Sequence, residues 1–278
     1  MDWSNLGTRV IVAVIFIPLI LYLSWIGGIG FLLLIEVLIF LGLGEFYLLT
    51  RNKRTRPQRL LGMIAGAAVA PTIYFGQAHN LWSFFVGFSV VLLVIELFRK
   101  PEEGGSPMLN VSATLLGIAY VAGLLGFLVA IREIPLREAA DYAHAGTWII
   151  MIFIVVWICD TAAYFVGKKF GKRKLYERVS PKKTVAGAVG GIVFAVLAAI
   201  GCHYVFVQGL QLRDSIVIGL LAGTIGQISD LVESLFKRDA GVKDSSGLIP
   251  GHGGVLDRFD SEMLLAPLVY FYLTIVVR

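Results

Sequence analysis

The sequence predicts an all-α integral membrane protein with about nine transmembrane helices and a cytoplasmic N-terminus. Three observations carry that expectation. Apolar residues make up 57% of the 278-residue chain, and a mean hydropathy of +0.81 is far outside the range of soluble domains. These residues gather into runs of about 20, the length a helix needs to cross roughly 30 Å of hydrocarbon. No alternation of short strands suggests a closed barrel, so each lipid-facing run must satisfy its own backbone as a helix.

The runs fall at about 9–27, 30–50, 60–78, 81–98, 109–131, 147–167, 184–207 and 214–236, with a shorter ninth at about 262–277. The first continues through Trp25 without a small-residue cleavage site, so it reads as a retained span and not a signal peptide. Within the second and fourth, Glu36 is an isolated intramembrane acid, while Glu45 and Glu96 lie near the cytoplasmic ends and are expected to be solvated. In the sixth, Asp160 precedes Lys168 by eight residues, about 12 Å of helix, and so sits below the membrane surface, with Tyr164 between them on the same face. Gly187, Gly190 and Gly191 in the seventh, and Gly219 and Gly223 in the eighth, are expected to let helices pack closely. The eighth ends in Asp230 and Glu233, with Ser234 one turn beyond Asp230 on its face.

Charge supports this topology. Counted over nine spans, 20 basic residues fall on the cytoplasmic side, in Arg9, 51–59, 99–100, 168–183 and 237–258. Only Arg132, Arg137, Arg213 and Arg278 fall outside. The net charge of +5 is thus concentrated on one face, where it meets anionic lipid headgroups and anionic metabolites; no nucleic-acid partner is expected. Cys159 and Cys202 lie inside spans, which argues against a disulfide framework or thiolate metal site. With no linker in view the chain reads as one membrane domain, residues 1–145 as scaffold with possible dimer contacts and 146–278 as the part carrying the chemistry.

That chemistry concentrates between Asp230 and Ser261. Lys237, Arg238, Asp239, Lys243, Asp244, His252, Asp257, Arg258 and Asp260 stand together there among five glycines. Lysine and arginine suit a polyphosphate, aspartate offers hard oxygen to Mg²⁺, and the turn at His252, Gly253 and Gly254 lets backbone amides approach an oxyanion. The combination suits phosphoryl or nucleotidyl transfer. A second basic run, 167–187, lacks the spacing and the preceding strand of a P-loop, but Ser180, Lys182, Lys183 and Thr184 are placed to bind phosphate at a helix start.

The run S-L-F-K-R-D-A-G-V-K-D-S-S-G-L-I-P-G-H-G-G-V-L-D-R-F-D at 234–260 resembles the signature of the phosphatidate cytidylyltransferases. Ser234, Lys237, Arg238, Lys243, Asp244, Gly247, Pro250, His252, Gly253, Gly254, Asp257, Arg258 and Asp260 all match, and Asp160 and the 180–184 segment are similar to that family too. Ala186 departs from it, standing where many bacterial members carry an acid.

The resemblance implies CTP + phosphatidate → CDP-diacylglycerol + pyrophosphate, dependent on Mg²⁺ (with room for two ions), at the cytoplasmic face of a bacterial inner membrane and in a homodimer. It implies Asp230 and Asp257 as principal metal ligands, with Asp244 and Asp260 as ligands or support. Lys237, Arg238, Lys243 and Arg258 would bind the triphosphate or the lipid phosphate, with His252, Gly253 and Gly254 shaping the phosphate pocket. Ser180, Lys182, Lys183 and Ser234, with Asp160 and Lys168, would line the nucleotide or lipid headgroup. A CTP-dependent kinase of a polyprenol or similar lipid would use the same charges at the γ-phosphorus. A transporter of an anionic metabolite is the more distant alternative, disfavoured because polar residues cluster at one face and no paired halves appear.

Overall fold

The structure, a computed structural model, describes residues 3–51, 55–100, 105–134, 142–249 and 253–277. Helices dominate it: α1 (Trp3–Ile26), α2 (Gly28–Arg51), α3 (Arg59–Ala67), α4 (Val69–Tyr74), α5 (Leu81–Leu97), α6 (Pro107–Gly117), α7 (Leu124–Arg132), α8 (Tyr142–Phe170), α9 (Val185–Val205), α10 (Leu212–Leu221), α11 (Gln227–Asp239) and α12 (Leu256–Tyr272). Short π-helical turns, Ile118–Gly123 and Ala222–Gly226, join α6 to α7 and α10 to α11 into continuous spans. Among the described residues seven helical stretches are long and apolar enough to cross a membrane, and two shorter apolar ones lie at Val12–Ile26 and Arg59–Tyr74. This is an all-α polytopic membrane protein.

One element was not foreseen and one helix start is corrected. Ser180–Thr184 is a strand, β2, paired antiparallel with β1 (Lys174–Tyr176), and the helix it leads into starts at Val185, within a residue of the expected position. Thr184 then caps α9, its Oγ1 accepting from the Gly187 amide at 3.1 Å. The last helix begins at Leu256 and not near 262, so Asp257, Arg258 and Asp260 occupy its first turns instead of a loop. Hydropathy misses this start because a charged first turn lowers the local average while still favouring helix, acids being stabilised at a helix N-terminus.

By internal contacts the chain forms two compact units. The first comprises Met1–Phe16, Gly28–Ala130 and Phe236–Arg258. Its core is the inner face of α2, with Phe31, Ile35, Ile39, Leu43 and Tyr47 all almost wholly buried. The Tyr47 hydroxyl donates to the Thr114 carbonyl at 3.0 Å. Glycines make room for that ring, since a Cβ at Gly62 or Gly117 would stand 2.1 or 2.5 Å from it.

The second unit comprises Ile17–Gly27, Ile131–Leu235 and Phe259–Arg278. Here α8 and α9 pack through glycines, as expected. A Cβ at Gly187 would lie 2.6 Å from the Ala163 carbonyl, at Gly190 2.8 Å from Val166, and at Gly223 2.7 Å from Ile192. Arg132, counted as an outer-face base, is instead fully buried. It donates to the carbonyls of Ser24 (3.0 Å), Trp25 (3.0 Å) and Tyr142 (2.9 Å), closing the C-terminal end of α1.

Candidate active site

The signature residues of the first unit are ordered by two carboxylates. Asp257, in the first turn of α12, accepts from Lys237 Nζ on Oδ1 at 2.5 Å. Its Oδ2 accepts from the Ser245 amide (2.9 Å) and the Gly254 amide (2.8 Å), and the Ser245 hydroxyl also lies 2.9 Å away. The Lys237 side chain is nearly buried, so the pair is not a solvent-screened surface bridge. Between these anchors the chain doubles back, the Ile249 amide donating to the Gly253 carbonyl at 2.8 Å. Gly253 adopts φ +82°, and a Cβ there would meet Asp257 Oδ2 at 2.7 Å, so the position requires glycine. Arg238 is exposed and donates to the Val242 carbonyl at 3.1 Å. Lys243, Asp244 and Arg258 are exposed around this core. His252, with Pro250 and Gly251, lies outside the described residues.

The second carboxylate is Glu45 of α2, and it overturns the expectation that this acid is solvated. It is 3% exposed. Oε1 accepts from the Ser246 hydroxyl (2.7 Å) and Val255 amide (2.9 Å), and Oε2 from the Ser245 hydroxyl (2.9 Å) and Leu256 amide (2.9 Å). Glu96 is likewise buried, bound by Asn110 (2.6 Å) and Gln58 (2.8 Å) and bridged to Arg99 (3.4 Å). An intramembrane acid announces itself in sequence, but donors some 200 residues away do not.

The second unit holds the other expected residues. Lys183, at the end of β2, forms an ion pair with Asp230 in the first turn of α11. Ser234 donates to the same carboxylate at 3.4 Å, the one-turn relation read from the sequence. Asp260 is within electrostatic range of Asp230, Glu233, Glu262 and Asp160. Ser229 fixes it along the backbone, donating its hydroxyl to the Asp260 carbonyl and accepting from the Leu264 amide at 3.1 Å. Five acids thus share one neighbourhood, although no three His, Cys, Asp or Glu side chains among the described residues converge as a preformed cage. Lys182 is exposed and Ser180 half-buried on β2. Lys168 is exposed and its ammonium lies 5.9 Å from the Tyr164 ring, while Asp160 opens to the surface of α8. Glu233, read from the sequence as an acid ending the same span as Asp230, was not named as a site residue, and Glu262 was not expected in this neighbourhood; its two-residue separation from Asp260 was the available signal.

Comparison with known proteins places the whole chain. Residues 7–276 match the profile described as the Cytidylyltransferase family. The chain is 32% identical to the phosphatidate cytidylyltransferase of Synechocystis over 97% of each protein, and 32% identical to that of Bacillus subtilis over 96% of each. Identity to the Brucella suis phosphatidate cytidylyltransferase is 35%, over 97% of this chain and 93% of the relative. With the profile spanning nearly every residue and the signature acids and lysines paired in the structure, the chain belongs to the cytidylyltransferase family.

Proposed function

We propose that the chain transfers a cytidylyl group from CTP to phosphatidate, giving CDP-diacylglycerol and pyrophosphate. It is a nucleotidyltransferase of phospholipid synthesis. The observation that carries the reading is the pairing of expected site residues as lysine with aspartate, Lys237–Asp257 within the signature and Lys183–Asp230 upstream of it, in a chain whose full-length relatives carry that activity in their names. Each pair holds a cation for an incoming phosphate beside a hard oxygen donor for a metal.

Mg²⁺ fits this donor set. The cluster around Asp260 is all carboxylate, and Mg²⁺ commonly takes one or two protein carboxylates and completes its shell with water and substrate phosphates, so a closed protein cage is not required. Asp230 and Asp257 are the proposed principal ligands, with Asp260 and Asp244 as further ligands or support. Bound there, the metal supplies positive charge against the negative charge developing at the reacting phosphate. Lys183, Lys237, Arg238, Lys243 and Arg258 hold the triphosphate and lipid phosphate, and the Gly253 and Gly254 turn, with His252, lets backbone approach them. Ser180, Lys182, Ser234, Asp160 and Lys168 border the nucleotide or headgroup.

A phosphatidate oxygen attacks the α-phosphorus in line as the bond to the β-phosphate oxygen breaks, and pyrophosphate leaves with the bonding pair. No protein nucleophile is needed. The proposed setting is the cytoplasmic face of a bacterial inner membrane, with the diacyl chains remaining in lipid and the enzyme working as a homodimer.

The test uses purified protein in mixed micelles with Mg²⁺, phosphatidate and CTP labelled separately at the α- and γ-phosphates. Entry of the α label into lipid, matched by released pyrophosphate, is the expected result. Entry of the γ label into an alcohol lipid would make the protein a lipid kinase, and transfer of neither label to either lipid would overturn both enzyme readings.

A further inference from the structure

We infer that Glu45 is a positioning residue for the signature loop, clasping both ends of the 245–256 segment from a helix two hundred residues earlier in the chain. The inference deepens the proposed cytidylyl transfer and rests on it where activity is the readout.

Three features separate this carboxylate from an ordinary buried acid. First, both of its oxygens are met: the Ser245 and Ser246 hydroxyls and the Val255 and Leu256 amides lie at 2.7–2.9 Å, the single Ser245 proton being shared with Asp257. Second, the donors come in pairs from opposite ends of one segment, so a single side chain ties the residues that follow α11 to the N-terminus of α12. The Val255 and Leu256 amides open that helix, where an anion is favoured by exposed N–H groups and the helix dipole. Third, the clasp is contiguous with the site. The Ser245 hydroxyl that touches Glu45 Oε2 also lies 2.9 Å from Asp257 Oδ2, the acid that holds Lys237.

The space around the clasp is equally restrictive. A Cβ at Gly254 would come within 2.0 Å of the Ser245 hydroxyl and 2.4 Å of Glu45 Oε2, so this glycine is what allows the carboxylate to approach the backbone. Burying a carboxylate is costly unless its hydrogen bonds are complete. The described donors are all neutral, so the buried Glu45 side chain is accommodated by loop geometry, and the loop in turn keeps its geometry through Glu45. Glutamine at this position would turn an NH₂ toward two groups that themselves donate.

The test compares purified Glu45→Gln, Glu45→Asp, Ser246→Ala and Glu96→Gln, the last altering a buried acid of the same unit that serves a separate polar network. Turnover of the folded fraction should fall about 10- to 100-fold in Glu45→Gln, the range typical for residues that orient reactive groups. Ser246→Ala should lose a few-fold and Glu45→Asp should recover part of the loss, while Glu96→Gln should keep its kcat despite lower stability. Hydrogen exchange should quicken in Glu45→Gln at residues 245–256 before α2 or α6 responds. A Glu45→Gln enzyme with kcat within twofold of the unaltered protein, or faster exchange spread evenly over the first unit, would overturn the inference. If Glu45→Gln does not fold, unchanged turnover and exchange in Ser246→Ala overturn it. If the unaltered protein transfers no cytidylyl group, the functional reading fails, and the exchange pattern alone still decides whether the clasp exists.

Discussion

Charged side chains inside this apolar chain are held in three ways. Glu45 is satisfied by neutral donors, Asp257 by a lysine and loop amides, and Arg132 by three carbonyls. Replacing Arg132 with leucine leaves those carbonyls without their donor, and we expect a loss of about 3 kcal/mol or more, read as a lower SDS midpoint in mixed-micelle unfolding. Activity per folded molecule should survive. Asp230→Asn should do the opposite, reducing turnover at least about 100-fold with little loss of folded protein, because asparagine preserves shape but not affinity for a divalent cation, whereas Asp257→Asn should lose turnover to the same degree and stability as well, since it also breaks the buried pair with Lys237. Near-normal turnover by both would remove them from the metal assignment. Much of this was legible at residue scale: the signature identified Lys237, Asp257 and Ser234, the position of an acid at the end of a span pointed to Asp230, and pattern alone placed Ser234 one turn from Asp230. Glu45 and Lys183 show what was not legible. Their positions invite attention, but the carboxylate or amide each one meets is fixed by long-range packing, which no local spacing encodes.

Among the elements, glycine decides which backbones approach closely. Gly187 and Gly223 admit helix backbone at 2.6–2.7 Å from where a Cβ would stand, so Gly187→Leu should prevent assembly of the second unit, visible as aggregation on size-exclusion chromatography. The glycines of the signature loop differ among themselves. Gly241 has φ +73° with open space around it, and alanine there should cost only about 1 kcal/mol. Gly254→Ala should instead cost more than tenfold in turnover, because its methyl group would displace both Ser245 and Glu45. Hydropathy placed the helices because spanning a bilayer imposes length and composition together. The β1–β2 hairpin escaped it, being eight residues of polar strand with a bulged register and no apolar alternation.

For the whole molecule, the charge asymmetry argues a fixed orientation. In the proposed topology the 168–183 run faces the cytoplasm and Arg213 the opposite side. Single cysteines at Lys172 and Arg213, introduced after both native cysteines are replaced, should react with an impermeant maleimide in intact cells only at position 213. Reaction at 172 alone would invert the assigned face. Orientation and chemistry meet in the claim that the cytidylyl group passes directly from CTP to the lipid phosphate, with lysines and carboxylates supplying charge and no residue of the chain becoming covalently attached. The most direct measurement is the stereochemical course with CTP carrying a chiral thiophosphate at the α position. A single in-line displacement predicts inversion at phosphorus in the lipid product, whereas retention would require an even number of displacements and contradict direct transfer.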